Sequence, residues 1–100
     1  MIELILLPAF DAWFQGLRDR VARKRIAARL ARLANGNAGD VRPVGEGVSE
    51  LRIDHGPGYR VYFVGRGPAL IVVLGGGDKS TQPADIGNAL TVARALEEPP

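Results

Sequence analysis

Three cations stand in surroundings that would hold them rigidly. Arg52 lies in Glu50-Leu51-Arg52-Ile53, Arg60 in Gly58-Tyr59-Arg60-Val61-Tyr62-Phe63, and Lys79 in Gly75-Gly76-Gly77-Asp78-Lys79-Ser80. Side chains alternate across a strand, so each arginine is expected on one sheet face while Leu51, Ile53, Val61 and Phe63 point to the other. If the two strands pair as a hairpin, Glu50, Arg52 and Asp54 share a face with Arg60, Tyr62 and Val64. A rigid basic surface of this kind suits phosphate, and the planar fork of arginine suits it better than lysine. The plain alternative is a surface ion pair between Arg60 and Glu50 or Asp54, worth about 0.2–1 kcal/mol.

His55 is the one imidazole of the chain and the one side chain ordinarily titrating near neutrality. It sits in a His55-Gly56-Pro57-Gly58 turn, where a solvated histidine is the simpler reading. The glycine run before Lys79 invites comparison with a nucleotide-binding loop, but Asp78 occupies the position where that loop needs glycine. A flexible strand-to-helix connection is the plain reading there. With no cysteine and a single histidine, no metal site is expected, and no cofactor.

These residues need elements to carry them. Ile2 to Leu7 reads as a short strand. Pro8 suits a first helical turn, and Phe10, Trp13, Phe14 and Leu17 have the spacing of one helical face, with the helix ending around Arg18 to Arg20. A second helix follows, with Ala22, Ile26, Leu30 and Leu33 as its apolar stripe and Asn35-Gly36 at its end. Arg25, Arg29 and Arg32 share one side of it, either as a solvated face or as a grip for RNA or an acidic peptide. Residues 36–40 read as a loop, and Pro43, Gly45 and Gly47 keep the next stretch irregular or confine it to an edge strand. Val48 to Asp54, Tyr59 to Val64 and Ala69 to Leu74 read as strands. Ser80 or Thr81 is placed to cap a last helix with Pro83 in its first turn and Ile86, Leu90 and Ala93 as its buried face. The order β-α-α-β-β-β-α implies an α+β layer structure, an antiparallel sheet of about four strands with helices on one side and the other face open for function.

The 100 residues, 46% apolar, fit one domain over 1–100. The apolar run at Ile2 to Leu7 contains Glu3, stops at Pro8 and is too short for a membrane span, so a cytoplasmic protein without membrane attachment is expected. The net charge of +2 says little, but its distribution is uneven. Arg18 to Arg32 carries seven cations against Asp19, whereas the C-terminal stretch carries Asp85, Glu97 and Glu98 against Arg94.

The ordered blocks Gly36-Asn37-Ala38-Gly39-Asp40, Gly47-Val48 with Glu50-Leu51-Arg52-Ile53, Gly56 to Phe63, and Gly76-Gly77-Asp78-Lys79-Ser80-Thr81-Gln82 with Asp85-Ile86 resemble the RelE/ParE superfamily of toxin-antitoxin toxins. Within it they are most similar to the HigB-like addiction module killer branch. The resemblance covers nearly the whole chain and implies a RelE-like fold. It also implies a cognate antitoxin, of helix-turn-helix type and encoded adjacently, with operator DNA reached only through that antitoxin. For activity it implies a metal-independent endoribonuclease acting on mRNA at the ribosome. Arg60 matches the family's phosphate-stabilising arginine, Arg52 a basic strand position and Lys79 a further cation after the last strand. His55 is the remaining candidate acid or base, since no tyrosine or histidine follows Lys79. Arg25, Arg29, Arg32 and Tyr62 are the expected RNA contacts. The same resemblance leaves open a ParE-like gyrase inhibitor and a non-catalytic relative that only binds its antitoxin.

Overall fold

A computed structural model of the chain describes residues 1–97; Glu98, counted above in the acidic C-terminal stretch, lies outside them. The chain forms β1 (Glu3–Leu6), α1 (Pro8–Gln15), α2 (Arg20–Ala34), β2 (Val41–Gly45), β3 (Val48–Ile53), β4 (Tyr59–Gly65), β5 (Leu70–Gly77), a short 3₁₀ turn (Lys79–Thr81) and α3 (Gln82–Glu97). Pro8 opens α1 as expected. Asp19 caps α2 by accepting the backbone N–H groups of Val21 and Ala22 at 3.0 and 3.1 Å, two of the donors that a helix start leaves unpaired. Beyond Asn35 the chain leaves the helix through Gly36 at φ 85°, a backbone conformation that glycine adopts without strain.

The strands form one sheet in the order β1-β5-β4-β3-β2. β2, β3, β4 and β5 pair antiparallel with their neighbours, and β1 joins β5 in parallel, Glu3 opposite Leu70 and Leu6 opposite Val73. The sheet therefore has five strands rather than about four. The Pro43 and Gly45 stretch is the edge strand β2, whose register shifts between those two residues.

Alternation along the strands divides the apolar residues between two cores. Leu51, Ile53, Val61 and Val73 pack with Phe10 of α1 and Ile26, Leu30 and Leu33 of α2. Val48, Tyr62, Val64, Val72 and Leu74 pack on the opposite face with Ala89 and Ala93 of α3. The expectation of helices on one side with an open second face is corrected here: α3 covers that face. Its buried residues are Ala89 and Ala93, small enough for a close approach, with Ile86 and Leu90 half-buried beside them. The glycine run also differs from the flexible connection expected of it. Gly75–Gly77 are strand residues of β5, and a Cβ at Gly76 would overlap the Trp13 ring while one at Gly77 would overlap the Asp85 carboxylate. The glycines let helices press on both sides of the same strand.

Candidate functional site

At the end of the β3–β4 hairpin the sheet runs out from under α3 and leaves a cleft of about 470 Å³. Arg52, Ile53 and Asp54 line it from β3 and its end, Gly56, Pro57 and Gly58 from the turn, Arg60 from β4, Lys79 from the 3₁₀ turn and Asp40 from the loop before β2. Arg52 and Arg60 stand directly opposite each other in the β3–β4 register, so two like charges share one face. Lys79 reaches in over the turn. Gly58, at φ 80°, leaves the room its stem needs, because a Cβ there would come within 2.9 Å of Lys79 Cγ. Among the described residues neither Arg52 nor Lys79 has an ion-pair partner. Asp40 and Asp54 are exposed carboxylates at the same cleft.

Arg60 is held differently. Its Nη1 donates to the carbonyls of Gly58 and Tyr59 at 3.1 and 3.2 Å. Its Nε lies 3.1 Å from Glu50 Oε1, a charge contact whose N–H is not aligned into a hydrogen bond. The side chains of this pair are 6% and 2% exposed. Glu50 Oε1 also accepts from Gln82 Nε2 at 2.5 Å, which ties the start of α3 to the floor of the cleft. The ion pair between Glu50 and Arg60 weighed from the sequence thus exists, but it is buried by α3 rather than lying on the surface. Nη2 of Arg60 has neither a hydrogen bond nor an ion-pair contact among the described residues, and it is the edge left for a ligand in the cleft.

Three expected site residues do not line the cleft. Tyr62 is 1% exposed in the core under α3, and its hydroxyl has no partner among the described residues. Burial first, and then the charges of Glu50 and Asp85, push the phenol well above its ordinary range against a smaller opposing effect of Arg60, so it stays protonated. The expected RNA contact through Tyr62 is corrected by this burial. His55 does not line the cleft. Its Nε2 lies 2.9 Å from Asp19 Oδ2 and its ring stacks on Tyr59, so it ties the turn to the start of α2. Arg29 is committed to the fold: Nη1 donates to the Arg52 carbonyl at 2.6 Å and Nη2 to those of Ala38 and Asp40 at 3.0 and 3.1 Å. These bonds hold the 38–40 loop beside the cleft, and Arg29 also lines the groove it shares with Arg25 and Arg32. Burial, followed by the charge of Arg32, lowers its pKa from the ordinary arginine value. Arg25 and Arg32 remain exposed along a groove of about 330 Å³ that also includes Ile53 and Asp54, and so continues from the cleft.

The sequence reading missed Asp40, Gln82 and the Asp19–His55 contact. Asp40 was visible only as part of a loop, and the other contacts join elements far apart in the chain, for which local patterning carries no signal. Among the described residues no group of three or more His, Asp or Glu side chains is gathered to hold a metal ion, and no helix is long and apolar enough to cross a membrane.

Fold and cleft together define a small α+β protein of RelE-like architecture with a cationic cleft at one end of its sheet. The pattern of the family described as "Phage derived protein Gp49-like (DUF891)" matches residues 12–96, and the chain belongs to that family. It is a toxin-like family related to addiction modules of the RelE/ParE type, and membership implies an antitoxin partner. An uncharacterized protein of Haemophilus influenzae is 47% identical over 95 residues, spanning 95% of this chain and 96% of that protein. No solved structure matches the chain.

Proposed function

We propose that this protein is the toxin of a type II toxin-antitoxin module, closest to the HigB-like killers, and that it cleaves mRNA on the ribosome without a metal. The observation that carries the reading is the set of Arg52, Arg60 and Lys79, brought from three separate elements onto one cleft, with neither Arg52 nor Lys79 in an ion pair among the described residues. In this reaction the 2′-oxygen bonds to the adjacent phosphorus as its proton passes to a base. The bond from phosphorus to the 5′-oxygen breaks, and that oxygen leaves as a hydroxyl after taking up a proton. Arg52, Lys79 and the Nη2 edge of Arg60 are positioned to hold the phosphate and the charge that develops on it. Asp40 and Asp54 are the lining carboxylates able to accept a proton; His55, bound to Asp19 away from the cleft, is a weaker candidate. Arg25 and Arg32, in the adjoining groove, extend the cationic surface along the strand that enters the cleft.

The test is to map new 5′ ends across cellular mRNA shortly after the chain is induced without its antitoxin. In-frame ends within coding regions are expected, and Arg52→Ala is expected to reduce their formation about 10²–10³-fold, with a smaller loss for Lys79→Ala. Intact mRNA accompanied by double-strand DNA breaks would replace this reading with gyrase inhibition.

A further inference from the structure

The cations of α2 do not all belong to the cleft. The helix from Arg20 to Ala34 carries six cations and no acid, and its sides separate them. Arg25 and Arg32 border the groove that continues from the cleft. Arg20, Arg23, Lys24 and Ala27 follow one another at i, i+3, i+4 and i+7, a second stripe of the helix. This stripe and the half-buried Phe14 of α1 enclose a separate concavity of about 320 Å³. It shares no lining residue with the cleft or with the Arg25 groove.

The fold leaves the charge of this second stripe uncompensated. None of the four ion pairs among the described residues includes Arg20, Arg23 or Lys24. The nearest acid in sequence, Asp19, is committed elsewhere: Oδ1 accepts the N–H groups of Val21 and Ala22, and Oδ2 contacts His55. Like charges at these spacings repel one another, and a carboxylate-bearing ligand would relieve that repulsion. The floor supplied by Phe14 and Ala27 is apolar, suited to a hydrophobic anchor inserted between carboxylates.

We propose that this concavity is where the antitoxin docks, through an acidic amphipathic segment that sets an apolar side chain on Phe14 and places carboxylates against Arg20, Arg23 and Lys24. Charge complementarity selects an anionic partner, and the apolar floor selects a protein segment. RNA is the less suitable occupant, because a strand leaving the cleft meets the Arg25 and Arg32 groove, which is continuous with it, rather than this separate hollow. The inference rests on the antitoxin partnership and not on RNA cleavage. It places the antitoxin where it need not compete with a ligand in the cleft.

The experiment titrates the full-length chain with the purified antitoxin encoded beside it. The triple variant Arg20→Glu/Arg23→Glu/Lys24→Glu is expected to bind at least about 100-fold more weakly, since each attraction becomes a repulsion. Arg25→Ala/Arg32→Ala is expected to bind within about threefold of the original chain. Circular dichroism checks that both variants fold, and hydrogen exchange on the unmodified complex reads the surface directly, with protection expected at residues 14 and 20–27. In cells the triple variant is expected still to arrest growth while escaping neutralisation. Unchanged affinity in the folded triple variant, or protection confined to the cleft, would overturn the proposal. So would loss of binding to a single-stranded RNA 20-mer with antitoxin affinity retained, which would give the stripe to nucleic acid. Binding is read without any cleavage assay, so a failure of the RNase reading leaves this test intact.

Discussion

With its side chain 6% exposed beside a Glu50 side chain at 2%, Arg60 carries its charge where an unpaired ion is costly. Each member of the pair therefore depends on the other. Glu50→Ala is expected to destabilise the protein by about 3–5 kcal/mol, because it strands the guanidinium, and urea unfolding would measure this as a lower midpoint at unchanged slope. An unaltered midpoint would mean that the pair is not formed in solution. Arg60→Ala likewise strands Glu50, so a loss of activity in that variant mixes chemistry with folding. Arg52 and Lys79, which have no such partner among the described residues, are the cleaner probes of phosphate binding. The sequence indicated that Arg52 and Arg60 share a face, since strand alternation is a local property. It gave no sign that α3 would bury Arg60 and Tyr62, because helix placement depends on packing partners some 20 to 30 positions further along the chain.

At the scale of elements, α2 has its start fixed by one carboxylate with two duties. Asp19 caps the helix through Oδ1 and contacts His55 through Oδ2. Its pKa is lowered mainly by the backbone N–H of Ala22, with the His55 hydrogen bond next; desolvation opposes them, and the His55 charge and the Val21 N–H add smaller lowering effects. A carboxyl whose pKa is depressed in the folded state stabilises the fold above its unfolded pKa, and that contribution is lost as pH falls through the folded value. Asp19→Ala is accordingly expected to lower Tm at pH 7, with the difference from the original chain shrinking below about pH 4. A difference that persists undiminished at pH 2 would show that the ionised cap is not its source. The apolar stripes of α1 and α2 and the spans of β1, β3 and β4 were legible in the sequence, whereas β5 runs on through Gly75–Gly77 and β2 takes the edge-strand option of the two left open by Pro43. The cap itself was less legible. The end expected for α1, around Arg18 to Arg20, overshoots its actual end at Gln15 and runs over the cap of α2, and the turn histidine gave no hint of its partner 36 positions earlier.

The whole molecule has three layers, helices on both faces of one sheet, and they approach the sheet closely at Gly76 and Gly77. There α1 meets one side of β5 through Trp13, and the start of α3 meets the other through Asp85. Gly76→Ala forces a methyl group into the indole and is expected to cost about 1–3 kcal/mol, read as a fall in Tm of about 4–8 °C per kcal/mol for a domain of this size. No change in Tm would mean that α1 does not press on the strand as described. A glycine run read without tertiary context resembles a hinge; only the two covering layers reveal it as a point of close packing.

The parallel pairing of β1 with β5 also sets an order of events during synthesis. Glu3 has its strand neighbour only when Leu70 has followed, and the cleft is not assembled until Lys79 has been added and the 3₁₀ turn has closed. Long-range pairing of this kind is slow to form. A protein that acts on translating ribosomes, as proposed here, would thus be built harmless to the ribosome that makes it until the residues through Lys79 have been added.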